Sequence, residues 1–204
     1  MTIQTNSNPE AVLSSLRMCA DEAAQCTRCP LHQGRTQSVF ADGPSSAKLM
    51  LIGEGPGQNE DETGVPFVGR AGQLLTQILT SVNIQRDKDI YICNVVKCRP
   101  PQNRAPLPEE MAACFPYLEE QIRLVRPRLI LLAGATAMKA VLNIKEGITK
   151  VRGQWFETAF DGAKAMPIFH PSYLLRNQSK AVGSPKWLMW QDLQEVRRQL
   201  DALK

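Results

Sequence analysis

With 204 residues, 43% of them hydrophobic and 22% charged, the chain is sized and composed for one domain around one sizeable core, which excludes a disordered polyelectrolyte. Its longest apolar run, Leu129 to Ala135, falls far short of the ~20 residues that span a bilayer, and no apolar segment follows the first basic residue, Arg17, as a secretory leader would require. These features predict a cytoplasmic protein with no membrane partner, and a net charge of +4 hints only weakly at a polyanionic ligand.

Residues 1–8 are polar and expected to be disordered, ahead of one domain over residues 9–204. Asn8-Pro9-Glu10 has the cap, first-turn proline and first-turn acid of a helix running to about Gln25. Lys48 to Gly53 is a continuous apolar run of buried-strand type, cut off by Gly53-Glu-Gly-Pro-Gly57. Leu74, Leu75, Ile78, Leu79 and Val82 share one face of a helix over residues 70–82. A second strand spans residues 90–96, and a proline-rich loop, Arg99-Pro-Pro-Gln-Asn-Arg-Ala-Pro-Leu107, leads into a helix from Pro108 to about Val125. A third strand covers residues 128–133 and turns at Gly134 into a short helix to Leu142. Residues 153–159 form a possible extra β segment, and residues 165–169 a fourth core strand. Ser184-Pro185 caps a last helix with Trp187, Trp190, Leu193, Val196, Leu200 and Leu203 at helical spacing.

Strands alternating with helices predict right-handed crossovers and a parallel sheet covered on both faces. Ligands of such sheets bind beyond the carboxyl ends of the strands. Gly53–Gly57, Asn94, Gly134 and His170-Pro-Ser172 all fall at those ends, so the fold gathers them along one edge.

Each motif has a plainer reading beside the functional one. The glycine segment allows close backbone approach to a ligand, or is merely a tight turn; without a following Lys-Ser/Thr it is a poor phosphate loop. Phe67, set among Gly64, Pro66 and Gly69, offers a face for a base to stack on. His170 at a strand end is a catalytic candidate, although a lone histidine is more often structural. Leu174-Leu175-Arg176 reads either as an apolar wedge with a phosphate-holding arginine or as a loop folded onto the body. Of six cysteines, Cys26 and Cys29 form a tight C-x-x-C pair and Cys98 and Cys114 lie further on, while Cys19 and Cys93 read as small buried hydrophobes. By spacing alone the four could bind zinc, an iron–sulfur cluster or nothing.

Taken together, Cys26-Thr-Arg-Cys29, Gly53-Glu-Gly-Pro-Gly57, Gly64-Val-Pro-Phe-Val-Gly-Arg-Ala-Gly72, Tyr91-Ile-Cys-Asn-Val-Val-Lys-Cys-Arg-Pro-Pro101 and His170-Pro-Ser-Tyr-Leu-Leu-Arg176 resemble the family 4 uracil-DNA glycosylases, from Cys26 to the C-terminal helix. The resemblance implies an α/β/α sandwich around a four-stranded parallel sheet, and a 4Fe-4S cluster held by Cys26, Cys29, Cys98 and Cys114. It implies a monomer that flips uracil out of single- or double-stranded DNA and hydrolyses the N-glycosidic bond, within base-excision repair. Phe67 would stack on the base, Asn94 read its edge, and His170 with the Gly55 backbone donate to uracil O2. Glu60 would stand in for the water-positioning aspartate of other branches, with Glu54 in a secondary or structural role. Ser172, Leu174, Leu175 and Arg176 would meet the DNA. Two readings compete: a DNA-binding module without catalysis, and a nucleotide-processing α/β enzyme.

Overall fold

The protein is described by a computed structural model over residues 8–203; of the segment expected to be disordered, residues 1–7 lie outside the described residues. Helix α1, Pro9–Gln25, starts as the sequence predicts, with the Asn8 side chain accepting the Glu10 N–H. Strands β1 (Leu49–Gly53), β2 (Ile90–Asn94), β3 (Leu129–Ala133) and β5 (Lys164–Ile168) form a parallel core in the order β2-β1-β3-β5. The sheet has five strands rather than the expected four: the two-residue β4, Phe156–Glu157, pairs antiparallel with β5 at the edge. It lies inside the segment read as an extra β element.

Successive strand residues point to opposite faces, and this alternation builds two cores. Met50, Ile52, Tyr91, Cys93, Ile130 and Leu132 meet α1, α4 (Pro108–Val125) and α5 (Ala135–Leu142). Leu49, Leu51, Ile90, Ile92, Leu129 and Leu131 meet α3 (Arg70–Ser81), α7 (Pro171–Arg176) and α8 (Pro185–Asp201). Each fully buried aliphatic side chain is worth about 1.5–3 kcal/mol over exposure, so the all-apolar strands are held by what covers both faces. Cys19 and Cys93 are buried members of the first core, as expected of them.

Besides the short helices α6 (Ile148–Val151) and α7, three local features depart from the sequence reading. An additional helix, α2, spans Gln58–Thr63 and carries the acidic run; its Asp61 is buried and accepts the Thr36 N–H through both oxygens, at 2.9 and 3.1 Å. Strand β2 ends at Asn94, because the Val95 and Val96 N–H groups turn to the carbonyls of Gly53 and Glu54 and tie down the glycine loop. Helix α8 buries Met189, Leu193, Val196 and Leu200, whereas Trp190 is 41% exposed. Among the described residues no helix is long and apolar enough to cross a membrane.

The chain leaves β1 for β2 on one side and returns to β3 on the other. The strand order therefore reverses between β1 and β3, and a crevice opens above their carboxyl ends.

Candidate active site

A half-open cavity of about 320 Å³ occupies that crevice, lined by Glu54, Gly55, Pro56, Gly57, Glu60, Phe67, Ala71, Asn94, Pro100, Asn103, Arg104, His170 and Ser172. Its size lies at the lower end of the range for small-ligand sites. The crevice thus brings together seven of the residues singled out by sequence: Glu54, Gly55, Glu60, Phe67, Asn94, His170 and Ser172.

Glycines set the spacing of the walls. A Cβ on Gly53 would lie 2.4 Å from Asn94 Oδ1 and 2.5 Å from Phe67 Cζ, so only glycine lets these two side chains converge over the end of β1. Phe67 itself has a left-handed backbone, φ 53°, and a Cβ on Gly72 would come within 1.9 Å of its carbonyl oxygen. The turn is pinned from outside by Arg86, whose Nη1 donates to the Phe67 carbonyl at 2.7 Å and whose Nη2 donates to Pro66 O. Asp42 holds the same guanidinium at Nε, 2.7 Å away. The Phe67 ring is 5.9 Å from that of His170, tilted by 36°, so the two line adjacent walls.

His170 ends the run from β5 and caps α7. Its Nδ1 accepts the Ser172 backbone N–H at 3.2 Å and lies 2.7 Å from Ser172 Oγ. An acceptor at Nδ1 leaves the proton on Nε2, making the neutral ring a donor. Burial pushes its pKa below the ordinary histidine range, and the nearby Glu54 carboxylate offsets this only in part.

The two carboxylates are engaged differently. Glu60 accepts three backbone N–H groups: Val68 (2.9 Å) and Gly69 (2.8 Å) on Oε1, and Gly57 (3.1 Å) on Oε2. It thereby clasps the glycine loop to the turn that carries Phe67. Glu54 accepts the Thr136 hydroxyl on Oε2, and among the described residues no hydrogen bond engages its Oε1.

The Leu174-Leu175-Arg176 block splits. Leu174 is fully buried in the second core and has no face to offer a DNA strand, because α7 packs that side onto α3. Ser172 lines the cavity, Leu175 is half-buried and Arg176 is exposed. The sequence reading missed Ala71, Asn103 and Arg104 on the cavity wall. The last two sit in the proline-rich loop, and the density of prolines and arginines there was the available signal.

On the other side of that loop, Cys26, Cys29, Cys98 and Cys114 line a second, smaller cavity together with Arg28, His32, Lys97 and Tyr117. All four are free thiols. Arg35 Nη1 donates to Cys98 Sγ at 3.2 Å, and the Lys97 N–H donates to Cys114 Sγ at 3.3 Å. Burial pushes the Cys114 thiol up to about 11. Among the described residues no three Cys, His, Asp or Glu side chains are drawn together around a single ion.

The doubly wound sheet is that of an α/β protein with a crevice of ligand size at its switch point, lined by an aromatic ring, a carboxamide and an imidazole. The family model of the uracil DNA glycosylase superfamily matches residues 40–194, and the chain belongs to that superfamily. It is 50% identical over 165 residues to a type-4 uracil-DNA glycosylase of Thermotoga maritima, covering 80% of this chain and 85% of the relative. It is 41% identical over 171 residues to a type-4 uracil-DNA glycosylase of Saccharolobus solfataricus, covering 81% and 79%. A type-5 uracil-DNA glycosylase of Pyrobaculum aerophilum is 31% identical over 154 residues, covering 68% and 67%.

Proposed function

We propose that this chain excises uracil from DNA: it receives a nucleotide swung out of the strand, hydrolyses the N-glycosidic bond and leaves free uracil and an abasic site, within base-excision repair. The observation that carries the reading is the convergence of Phe67, Asn94 and His170 on one cavity of ligand size. Phe67 stacks on the ring. The Asn94 amide donates to O4 and accepts from N3–H, a pairing that cytosine presents with reversed polarity at position 4. As C1′–N1 breaks, the bonding pair stays on the uracil and the sugar becomes cationic. The His170 Nε2–H donates to O2 where that charge collects, and the Gly55 N–H is the second donor. Water then adds its oxygen to C1′ and releases a proton. Glu54, with one oxygen uncommitted, is better disposed to orient that water than Glu60, whose oxygens already accept backbone N–H groups. Glu60 acts by holding the Phe67 turn and by its charge beside the cationic sugar. Ser172, Leu175 and Arg176 meet the DNA, single- or double-stranded, and the protein acts as a monomer.

The donor chemistry around the cysteine cavity supports a 4Fe-4S cluster held by Cys26, Cys29, Cys98 and Cys114. Its donor set is four thiols, and N–H donors from Arg35 and Lys97 already face two of the sulfurs as they would face thiolates. When bound, such a cluster supplies a cross-link between the Cys26–Cys29 segment and the loop from Cys98 to Cys114. The test of the whole reading is incubation with a uracil-containing oligonucleotide followed by alkaline cleavage. Strand scission at the uracil position is expected, and tight binding without an abasic product overturns the enzyme.

A further inference from the structure

The proline-rich loop beside the cavity is built in a costly way. Gln102 and Asn103 both adopt left-handed backbones, at φ 54° and 55°, a conformation that persists in non-glycine residues only where the surroundings enforce it. The enforcement is visible: Arg99 Nε donates to Asn103 Oδ1 at 2.7 Å, and the Asn103 and Arg104 N–H groups bond back to Pro100 and Pro101. The result is to seat Arg104 on the cavity wall.

Arg104 is held there by Glu110, which is 1% exposed. Nη1 donates to Glu110 Oε2 at 2.8 Å, Nη2 to Oε1 at 2.6 Å, and Nη1 also to the Ala105 carbonyl at 3.0 Å. Glu110 further accepts the Leu107 N–H at 2.7 Å, so the carboxylate is fixed by the start of α4. A guanidinium has five N–H donors. These contacts engage the end fork and the Cδ-side hydrogen of Nη1. Among the described residues nothing engages the parallel pair on the remaining edge, Nε–H and the second Nη2–H. The side chain is 38% exposed. A rigid guanidinium with one free two-pronged edge, fixed at the wall of a ligand cavity, matches a phosphate oxygen pair.

We propose that Arg104 is a substrate-binding residue that uses this edge to hold a backbone phosphate of the strand whose nucleotide enters the cavity, with Glu110 as its positioning residue. The assignment rests on the uracil-excision reading and deepens it. It gives the pocket an anchor in the proline-rich loop, so the extruded nucleotide is held at its phosphate as well as at its base.

The test measures binding of an abasic-site duplex by fluorescence anisotropy across a salt series, beside uracil release, for the wild type and the variants Arg104→Gln, Arg104→Lys and Glu110→Gln. With Arg104→Gln, binding is expected to weaken roughly tenfold and KM to rise more than kcat falls. The slope of log affinity against log salt should shrink by about one, the signature of a lost phosphate contact. Arg104→Lys should keep the slope while recovering only part of the affinity. Glu110→Gln keeps the Arg104 charge but loosens its seat, and should weaken abasic-duplex binding and shrink the salt slope in part, beyond any loss of Tm. An Arg104→Gln protein that loses Tm like Glu110→Gln but keeps the wild-type slope makes the pair purely structural and overturns the proposal. Failure of the wild type to release uracil is a separate result, and sinks the excision reading instead.

Discussion

The backbone N–H of Ser172 points at Nδ1 of His170 from 3.2 Å, and that contact favours the tautomer that carries its proton on Nε2. A protonated ring would set an Nδ1–H against the Ser172 N–H, with the Ser172 hydroxyl oxygen, 2.7 Å away, left to accept it. Burial works in the same direction by holding the pKa low. The imidazole is therefore kept as a neutral donor by its own helix cap, two residues along the chain.

His170→Ala should lower kcat by about 10²–10³, the usual effect of removing one preorganised donor to a developing anion. The pH profile carries the sign. Because the folded pKa is depressed, the neutral ring persists below the ordinary histidine value of about 6.5, and the acid limb of kcat/KM should lie below that value. The same shift adds stability that is present above about pH 6.5 and is lost as pH falls through the folded pKa. Activity that instead falls as pH rises through the histidine pKa, so that the ring governs the alkaline limb, would show that it works as an imidazolium.

Gly53→Ala should cripple turnover in a protein that still folds. The added Cβ overlaps the Asn94 amide and the Phe67 ring at 2.4 and 2.5 Å, and those are the side chains we propose to grip the base. Displacing reacting groups by about 1 Å costs on the order of 10²-fold in rate. Circular dichroism should stay that of the wild type while uracil release falls; full activity would show that Phe67 and Asn94 need not converge.

Cys114→Ser should remove the broad visible absorption near ~400 nm expected of thiolate-bound iron–sulfur centres and lower Tm, while uracil release per folded molecule survives. Cys114 sits on α4 and lines the same cavity as the N-terminal pair, so its loss unties two parts of the chain without touching the base pocket. Iron and sulfide analysis of the wild type checks the assignment, and colourless protein with stoichiometric zinc would refute it.

Much of this site was legible in the sequence because strand ends are. The apolar runs into Gly53 and Asn94 stop where the chemistry begins, and parallel topology then requires those ends to meet. The cysteine set was legible as residue type but not as geometry: nothing in the spacing of Cys98 and Cys114 says that a helix returns the second beside the first. The block at Leu174 misled for a related reason. Apolar residues next to an arginine read as a wedge, but on a six-residue helix Leu174 turns inward while Arg176 stays out. Arg104 was invisible because its placement depends on two left-handed residues before it and a buried acid six residues after it. Glu60 was legible as an acid near the site but not as the acceptor of three backbone hydrogen bonds, which depends on how the Phe67 turn folds back.

That property separates the two carboxylates by experiment. Glu60→Gln replaces one oxygen by an NH₂ group that must face a backbone N–H of Gly57, or of Val68 and Gly69, so a buried donor loses its acceptor. The expected cost is about 1–3 kcal/mol. For a chain of this size that lowers Tm by roughly 2–4 °C per kcal/mol. Activity should fall with it, since the turn carrying Phe67 loosens. Glu54→Gln keeps an acceptor for the Thr136 hydroxyl and should leave Tm nearly unchanged, yet lower kcat, because an amide can take no proton from water. Differential scanning calorimetry beside single-turnover uracil release reads both effects. If Glu54→Gln turns over like the wild type while Glu60→Gln loses rate at unchanged Tm, the two roles must be exchanged.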